Sequence, residues 1–432
     1  MPNDNILYVI IICACWYAII CFAITRIRFF SDCGINKWWL VGLYSLKVLA
    51  GFAYGFFYLQ PAYVANSDTW HYFDLSKAET DWLLRDPVAF FTDLFNHGYN
   101  TAGNLFEGSN SYWNDLKSNV IIKLIAIANV GTLKNYFGNI FIFNLLFFFG
   151  PVALYRLVQQ VFQVNKLLAV VVIFLIPSFL FWCSGIHKDG IIFTFTCLVA
   201  YHFYRQVNDE KLYISSAIWI VVSFIVIFSL RNFVALLLLP SLLLWWLIYK
   251  MPARAFFFTS SIYALGLLAF FASPTIGASF DLPQYVIEKQ NEFKQLSGAS
   301  SIAVPPLENS FTSFVHFLPT AFDIGFLRPH IGEIKNFSYI PSVLEVFLLW
   351  AVVFFSILLS RKISLKKQQK AFTFFALSFA ISFLLLAGYT ITFSGAIVRY
   401  RAVVLPFVAA AFLPWINNAL IGFQSVFSNK KK

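Results

Sequence analysis

The chain has 432 residues, of which 59% are hydrophobic and 12% charged, and it carries 53 Phe. That is more apolar side chain than a soluble core of this length can hide, which excludes an ordinary water-soluble domain and indicates a multi-pass membrane protein. The net charge of +11 suits a nucleic-acid partner only if it gathers on one exposed face, and the placement of the basic residues argues otherwise.

A helix needs about 20 apolar residues to cross the hydrocarbon. In chain order, candidate spans run over 6 to 24, 38 to 60, 136 to 161, 167 to 183, 190 to 204, 213 to 229, 232 to 249, 255 to 273, 341 to 360, 371 to 390 and 402 to 420. The expected fold is therefore all-α and polytopic, a single membrane domain over residues 1–432 with about 11 transmembrane helices. The opening MPNDN has no basic side chain ahead of the first apolar run, and no small-residue cleavage site follows, so the first span is expected to be retained. Two connections are long, 61–135 and 274–340. In the first, DPVAFFTDLF has helical apolar spacing behind a proline start, and NDLKSNVIIKLIAIANV reads as a capped amphipathic helix on the membrane surface. The second passes from SPTIGASFDLP through the helix-like YVIEKQNEFKQL to SGASSIAVPP. The six cysteines show no CxxC spacing, so they read as small buried hydrophobes and point neither to zinc nor to a disulfide framework.

Alternate connections separate by charge. Arg26, Arg28, Lys37, Arg156, Lys166, Arg205, Lys211, Lys250, Arg254, Arg361, Lys362, Lys366, Lys367, Lys370 and Lys430 to Lys432 fall on one side, against only Asp32, Asp209 and Glu210. The positive-inside rule makes that side cytoplasmic, with the amino terminus outside, the carboxy terminus inside and both long loops outside. Topology and anionic headgroups then account for the basic excess, and no nucleic-acid partner is expected.

On this topology most of the unusual polar residues fall on the outer face. SGIHKDG, with His187, Lys188 and Asp189, is the turn between the fourth and fifth spans. Arg231 lies in the next outer turn, Arg328 and His330 in the second long loop, and Arg399 and Arg401 at the entry to the last span. Each cation taken singly reads as a snorkelling anchor. Together, Lys188, Arg231, Arg328, Arg399 and Arg401 read as a pocket for the phosphate of a lipid-linked ligand, because a guanidinium fork matches phosphate oxygens.

Carboxylates supply the complementary chemistry. Asp68 follows the second span, and His71 lies three residues on, which suits a general base or a metal-ligand pair; the alternative is that Asp68 caps a helix starting at Thr69. Asp115 offers a similar cap or a supporting carboxylate. Asp189 can neutralise Lys188 or begin a helix. Lys47, inside the second span, reads as snorkelling or paired with a carboxylate. Trp70, Tyr72, Trp82, Tyr112, Trp113, Trp182 and Tyr389 form an interfacial belt or pack against sugar rings.

The segment NSDTWHYFDLSKAE resembles the loop after an early span in GT-C type glycosyltransferases, and VRYRAVVLPFVAAAF is similar to the last span of bacterial members of that group. PSFLFWCSGIHKDGIIF, LRNFVALLLLP, SYWNDLK and GNIFIFNLLFFFGPVALYRL resemble segments of bacterial membrane proteins grouped with sugar transferases and Wzy-type O-antigen polymerases. The resemblance implies a multi-pass enzyme of the bacterial cytoplasmic membrane that takes a polyprenyl-(pyro)phosphate-linked sugar donor at its outer face and builds cell-surface glycan. It implies that Asp68 is the catalytic acidic residue and that Arg399 and Arg401 lie near the lipid phosphate. Polymerases of this kind carry essential arginines in two large outer loops, where this chain has Arg328 and Arg85.

The expected function is glycosyl transfer or oligosaccharide polymerisation, with Asp68 and His71 as the catalytic pair and the five cations on the phosphate. The expected partners are the polyprenyl-linked donor, a glycan acceptor and membrane lipids. No cofactor is required by the sequence, and a divalent cation is left open. The alternatives are a transporter or flippase for a lipid-linked or anionic substrate, in which intramembrane charges mark the path, and a non-enzymatic assembly subunit.

Overall fold

The computed structural model describes residues 6–61, 63–96, 98, 105–106, 111–277, 280–296, 300–334, 337–359 and 363–429, without the side chains of 66, 338 and 422–429. MPNDN, Arg361, Lys362 and Lys430 to Lys432 lie outside the described residues, as does part of SGASSIAVPP. Among the described residues the chain is helical, with no strand beyond one bridge between Ser301 and Phe393. The contacts divide it into two compact units, one of Met1–Arg156, Phe179–His202 and Ala217–Asn232, the other of Leu157–Ser178, Phe203–Ser216 and Phe233–Lys432.

The helices follow in order: α1 (Ile6–Arg26), α2 (Arg28–Ser31), α3 (Lys37–Phe57), α4 (Asp68–Arg85), α5 (Pro87–Thr92), α6 (Tyr112–Thr132) and α7 (Tyr136–Phe162). Then come α8 (Lys166–Phe174), α9 (Pro177–Trp182), α10 (Lys188–Asn208), α11 (Ile214–Lys250) and α12 (Ala255–Ala272). The last are α13 (Leu282–Gln295), α14 (Phe311–Phe322), α15 (Ile340–Leu359), α16 (Lys367–Thr390), α17 (Ser394–Ala402) and α18 (Leu405–Asn429).

Apolar length explains the candidate spans. Seven helices among the described residues are long and apolar enough to cross a membrane, or eight if α17 and α18, bent by 60°, form one broken span. The chain is thus a multi-pass helical membrane protein. The eleven expected segments divide differently in three places. Residues 167–183 split at Leu175 and Ile176, ahead of Pro177, into α8 and α9 of 9 and 6 residues. Residues 190–204 lie in α10, whose charged start and Arg205 end dilute its apolar middle. Residues 213–229 and 232–249 share the 37-residue α11, broken by non-helical backbone at Arg231 (φ −151°, ψ 85°). Unbroken, that helix would measure about 55 Å, nearly twice the ~30 Å hydrocarbon.

In the first unit, loop 61–135 is built of α4, α5 and α6, whose ends the sequence sets locally. Asp86 caps α5 by accepting from the Ala89 N–H, with Pro87 at the first helical position, and Ser111 caps α6 by accepting from the Asn114 N–H. The buried face of α6, Ile121, Ile122, Ile125, Ala126 and Asn129, packs on α4. The seam is polar. Asn129 Nδ2 donates to Ser76 Oγ (2.9 Å) and Thr80 Oγ1 (3.1 Å), and Asn139 of α7 donates to Asn129 Oδ1 (2.6 Å). Buried Lys123 joins Glu79 (2.9 Å) and Asp93 (3.1 Å) between the rings of Trp82 and Phe90.

In the second unit α16 is the central helix. Phe372, Phe375, Phe379 and Phe383 line its buried side, with Trp245 and Phe407 packed on them. Helix α14 lies against the same helix, where Gly388 approaches the Ala321 carbonyl and Gly325 the Leu384 carbonyl more closely than any Cβ allows. Tyr389 of α16 donates to the Phe314 carbonyl (2.7 Å), and Gln290 of α13 donates to the Tyr389 carbonyl (2.9 Å).

Candidate functional site

The site in the first unit begins with SGIHKDG. Helix α9 ends at Trp182 and α10 begins at Lys188, so Cys183 to His187 form a short non-helical turn. Helix α3 holds this turn. Lys47 Nζ, 2% exposed, donates to the Cys183 carbonyl (2.7 Å) and Ser184 Oγ (3.0 Å), facing the Phe179 ring at 4.9 Å. The sequence suggested snorkelling or a carboxylate for Lys47; its partners are a backbone carbonyl and a hydroxyl. Asn144 of α7 donates to the Ser184 carbonyl (2.8 Å), and Thr69 of α4 donates to the Ile186 carbonyl (2.9 Å). Gly185 admits the ring of Tyr54, since a Cβ there would lie 2.2 Å from Cδ1.

This turn delivers His187 and Asp189 into a chain of ionisable groups. His187 Nδ1 is 3.0 Å from Asp189 Oδ2, and His187 Nε2 is 3.3 Å from Asp68 Oδ2. Asp189 Oδ1 is 2.6 Å from Arg231 Nη2, supplied at the break in α11. Side-chain exposure rises along the chain: Asp189 is 0% exposed, His187 2% and Asp68 51%. The buried carboxylate is stabilised from three sides, by Arg231, by the imidazole and by the amino-terminal turn of α10 in which it sits. SGIHKDG was expected to face outward, with Asp189 either neutralising Lys188 or beginning a helix. Ser184 to His187 are buried, and Asp189 lies in the first turn of α10, where Arg231 and His187 hold it.

Asp68 is the first residue of α4, with Ser67 at the capping position where the sequence suggested Asp68 itself, and its carboxylate meets His187. His71 is exposed one turn further on, its ring 6.3 Å from that of Tyr72. Lys188 lies 5.1 Å over the Tyr72 ring, with Nζ 3.5 Å from Ser118 Oγ of α6. The other aromatics are largely engaged in packing: Trp70 stacks on Tyr136 at 3.9 Å and donates to the Gly55 carbonyl, while Trp182 packs on Tyr54 and Tyr58.

Chemically, this arrangement is able to hold and pass a proton. With Asp189 accepting the Nδ1 proton, Nε2 is aimed at Asp68, so a proton taken up by the exposed carboxylate can pass to the imidazole while Asp189 and Arg231 hold the ring. The two carboxylates address opposite nitrogens of one ring and do not converge on a common point. Among the described residues no group of three His, Cys, Asp or Glu is placed to hold a metal ion.

The remaining cations lie in the second unit. Arg328 pairs with Asp323 (2.8 Å) and Glu333, and His330 Nε2 lies 2.9 Å from Asp323 Oδ1. Arg401, 1% exposed, donates through Nη1 to the Arg328 carbonyl (2.7 Å); Arg399, in the same last turn of α17, is half-buried. Thus Lys188 and Arg231 belong to one unit and Arg328, Arg399 and Arg401 to the other, and both Arg231 and Arg328 are ion-paired within the protein.

Sequence reasoning passed over the residues that position the turn. Asn144 was legible as a lone carboxamide in the apolar run FIFNLLFFF, and a lone polar group in such a run is paired. Thr69 and Ser118 carry no local signal, because their partners lie 117 and 70 residues away. No family model, curated protein or solved structure matches the chain.

Proposed function

We propose that the protein is a multi-pass glycosyltransferase or oligosaccharide polymerase, acting on a polyprenyl-(pyro)phosphate-linked sugar at the outer face of the bacterial cytoplasmic membrane. The observation that carries this reading is the Asp68–His187–Asp189–Arg231 chain, buried except at Asp68. An exposed carboxylate backed by an oriented imidazole suits removal of a proton from an acceptor hydroxyl. In this mechanism Asp68 takes that proton as the acceptor oxygen bonds to the sugar's anomeric carbon. The bond from that carbon to the phosphate oxygen breaks, its electron pair leaves with the phosphate, and the proton is shared with His187. Lys188 neutralises charge developing on the leaving phosphate, and Arg328, Arg399 and Arg401 are assigned to the lipid phosphate on the resemblance alone. The topology assigned to this reading is eleven spans with the amino terminus outside.

The test is glycan assembly in a strain lacking the gene, restored with variants. Asp68→Asn and His187→Ala should each reduce product by about 10²- to 10⁴-fold, the usual weight of general-base catalysis, with membrane levels maintained. Normal product from both variants rejects the reading. In the deletion strain, a completed lipid-linked unit that never extends marks a polymerase, and a truncated unit marks a single-sugar transferase.

A further inference from the structure

A cavity in the first unit has lining chemistry that fits one sugar ring. It has a volume of about 160 Å³ and lies between α6 and the segment after α5. Tyr112, Asp115, Leu116 and Asn119 contribute from α6 at spacings of three and four, one face of a helix. Asp93 and Asn96 form the facing wall. That wall is tied down: Asn119 Nδ2 donates to Asp93 Oδ2 (3.1 Å), Tyr112 donates to the Leu94 carbonyl (2.7 Å), and Lys123 lies 3.1 Å from Asp93.

At ~30 Å³ per liquid water the cavity holds roughly five waters, the size class of a single pyranose ring. Its carboxylates disfavour an anion such as phosphate. A divalent cation is disfavoured too, because among the described residues no group of three His, Cys, Asp or Glu is placed to hold one. What remains suited is a neutral polyol, whose hydroxyls donate to carboxylates, accept from carboxamide N–H groups and leave a C–H face for Tyr112. The same helix α6 also reaches Lys188, whose Nζ is 3.5 Å from Ser118 Oγ. We propose that this cavity is a saccharide subsite that seats the terminal sugar of the acceptor. Its role as acceptor site rests on the transferase reading; its ligand class rests on the lining.

The experiment uses the full chain in lipid nanodiscs, with methyl glycosides of glucose, galactose and N-acetylglucosamine as probes in saturation-transfer difference NMR. At least one should bind, and Asp115→Ala should weaken it about tenfold, the loss of one hydrogen bond to a charged group. Leu116→Trp, which fills the cavity and keeps the carboxylates, should abolish binding, and Asp68→Asn should leave it unchanged. The proposal is overturned if no probe binds, if Leu116→Trp binds as the wild type does, or if Ca²⁺ or Mg²⁺ binds there in place of the glycosides. Lost glycan assembly in Asp68→Asn without glycoside binding rejects the subsite alone; glycoside binding with normal assembly in Asp68→Asn and His187→Ala rejects the transferase reading alone.

Discussion

Asp189→Ala should destabilise the protein by about 3–5 kcal/mol, the cost of stripping one partner from a buried ion pair. The carboxylate is fully buried and meets Arg231 at 2.6 Å and His187 at 3.0 Å. Without it a guanidinium only 8% exposed keeps its charge and loses its counter-ion, and the imidazole loses the group that fixes its tautomer. The double variant Asp189→Ala/Arg231→Leu removes both charges, so it should recover much of the stability while remaining inactive. Denaturant unfolding in detergent reads both values. Equal losses in the single and double variants would show that the ion pair is not the source of the effect.

The second large effect is expected at Gly388. An alanine Cβ there would sit 1.9 Å from the Ala321 carbonyl oxygen and 2.7 Å from its carbon. These are backbone atoms of α14, so relief requires the two helices to separate, and the cost should reach about 3 kcal/mol, the upper end for overpacking. Gly42 of α3 is the control. Nothing lies within 4 Å of its Cβ position, so Gly42→Ala should stabilise by about 0.5–1 kcal/mol through helix propensity alone. Thermal aggregation monitored by size-exclusion chromatography should move in opposite directions for the two. A tolerated Gly388→Ala would contradict the close approach of α14 and α16.

The long apolar helices were legible in the sequence because length and hydropathy are local properties. Helices α1, α3, α7, α12, α15 and α16 coincide with expected spans to within a few residues. Helix α4 was the least legible. DTWHYFDLSKAETDWLLR is polar, and its buried stripe of Thr69, Tyr72, Phe73, Ser76 and Thr80 is recognisable only once α6 supplies the matching Asn129. The site divides in the same way. SGIHKDG stood out as a charged interruption, and Asp68 as an acidic residue behind a span. Their meeting is a contact across 119 residues, and no local period encodes it. The sequence paired Asp68 with His71 by proximity along one helix, whereas the fold supplies His187 from another segment. Arg231 was read as a phosphate ligand because a short turn between spans brings it near the headgroups; the break is present, but the side chain turns to Asp189.

Lys47 also sets a constraint on biogenesis. A lysine at mid-helix costs about 2.5–3.5 kcal/mol when a helix partitions into the bilayer, and the carbonyl that satisfies it belongs to Cys183, 136 residues later. At 5–20 residues per second the ribosome needs roughly 7 to 27 s to supply that partner. Throughout this interval α3 must carry an unsatisfied ammonium, held by snorkelling or by the insertion machinery. The turn at Cys183 to His187 therefore forms only once α9 enters and displaces whatever has sheltered the lysine.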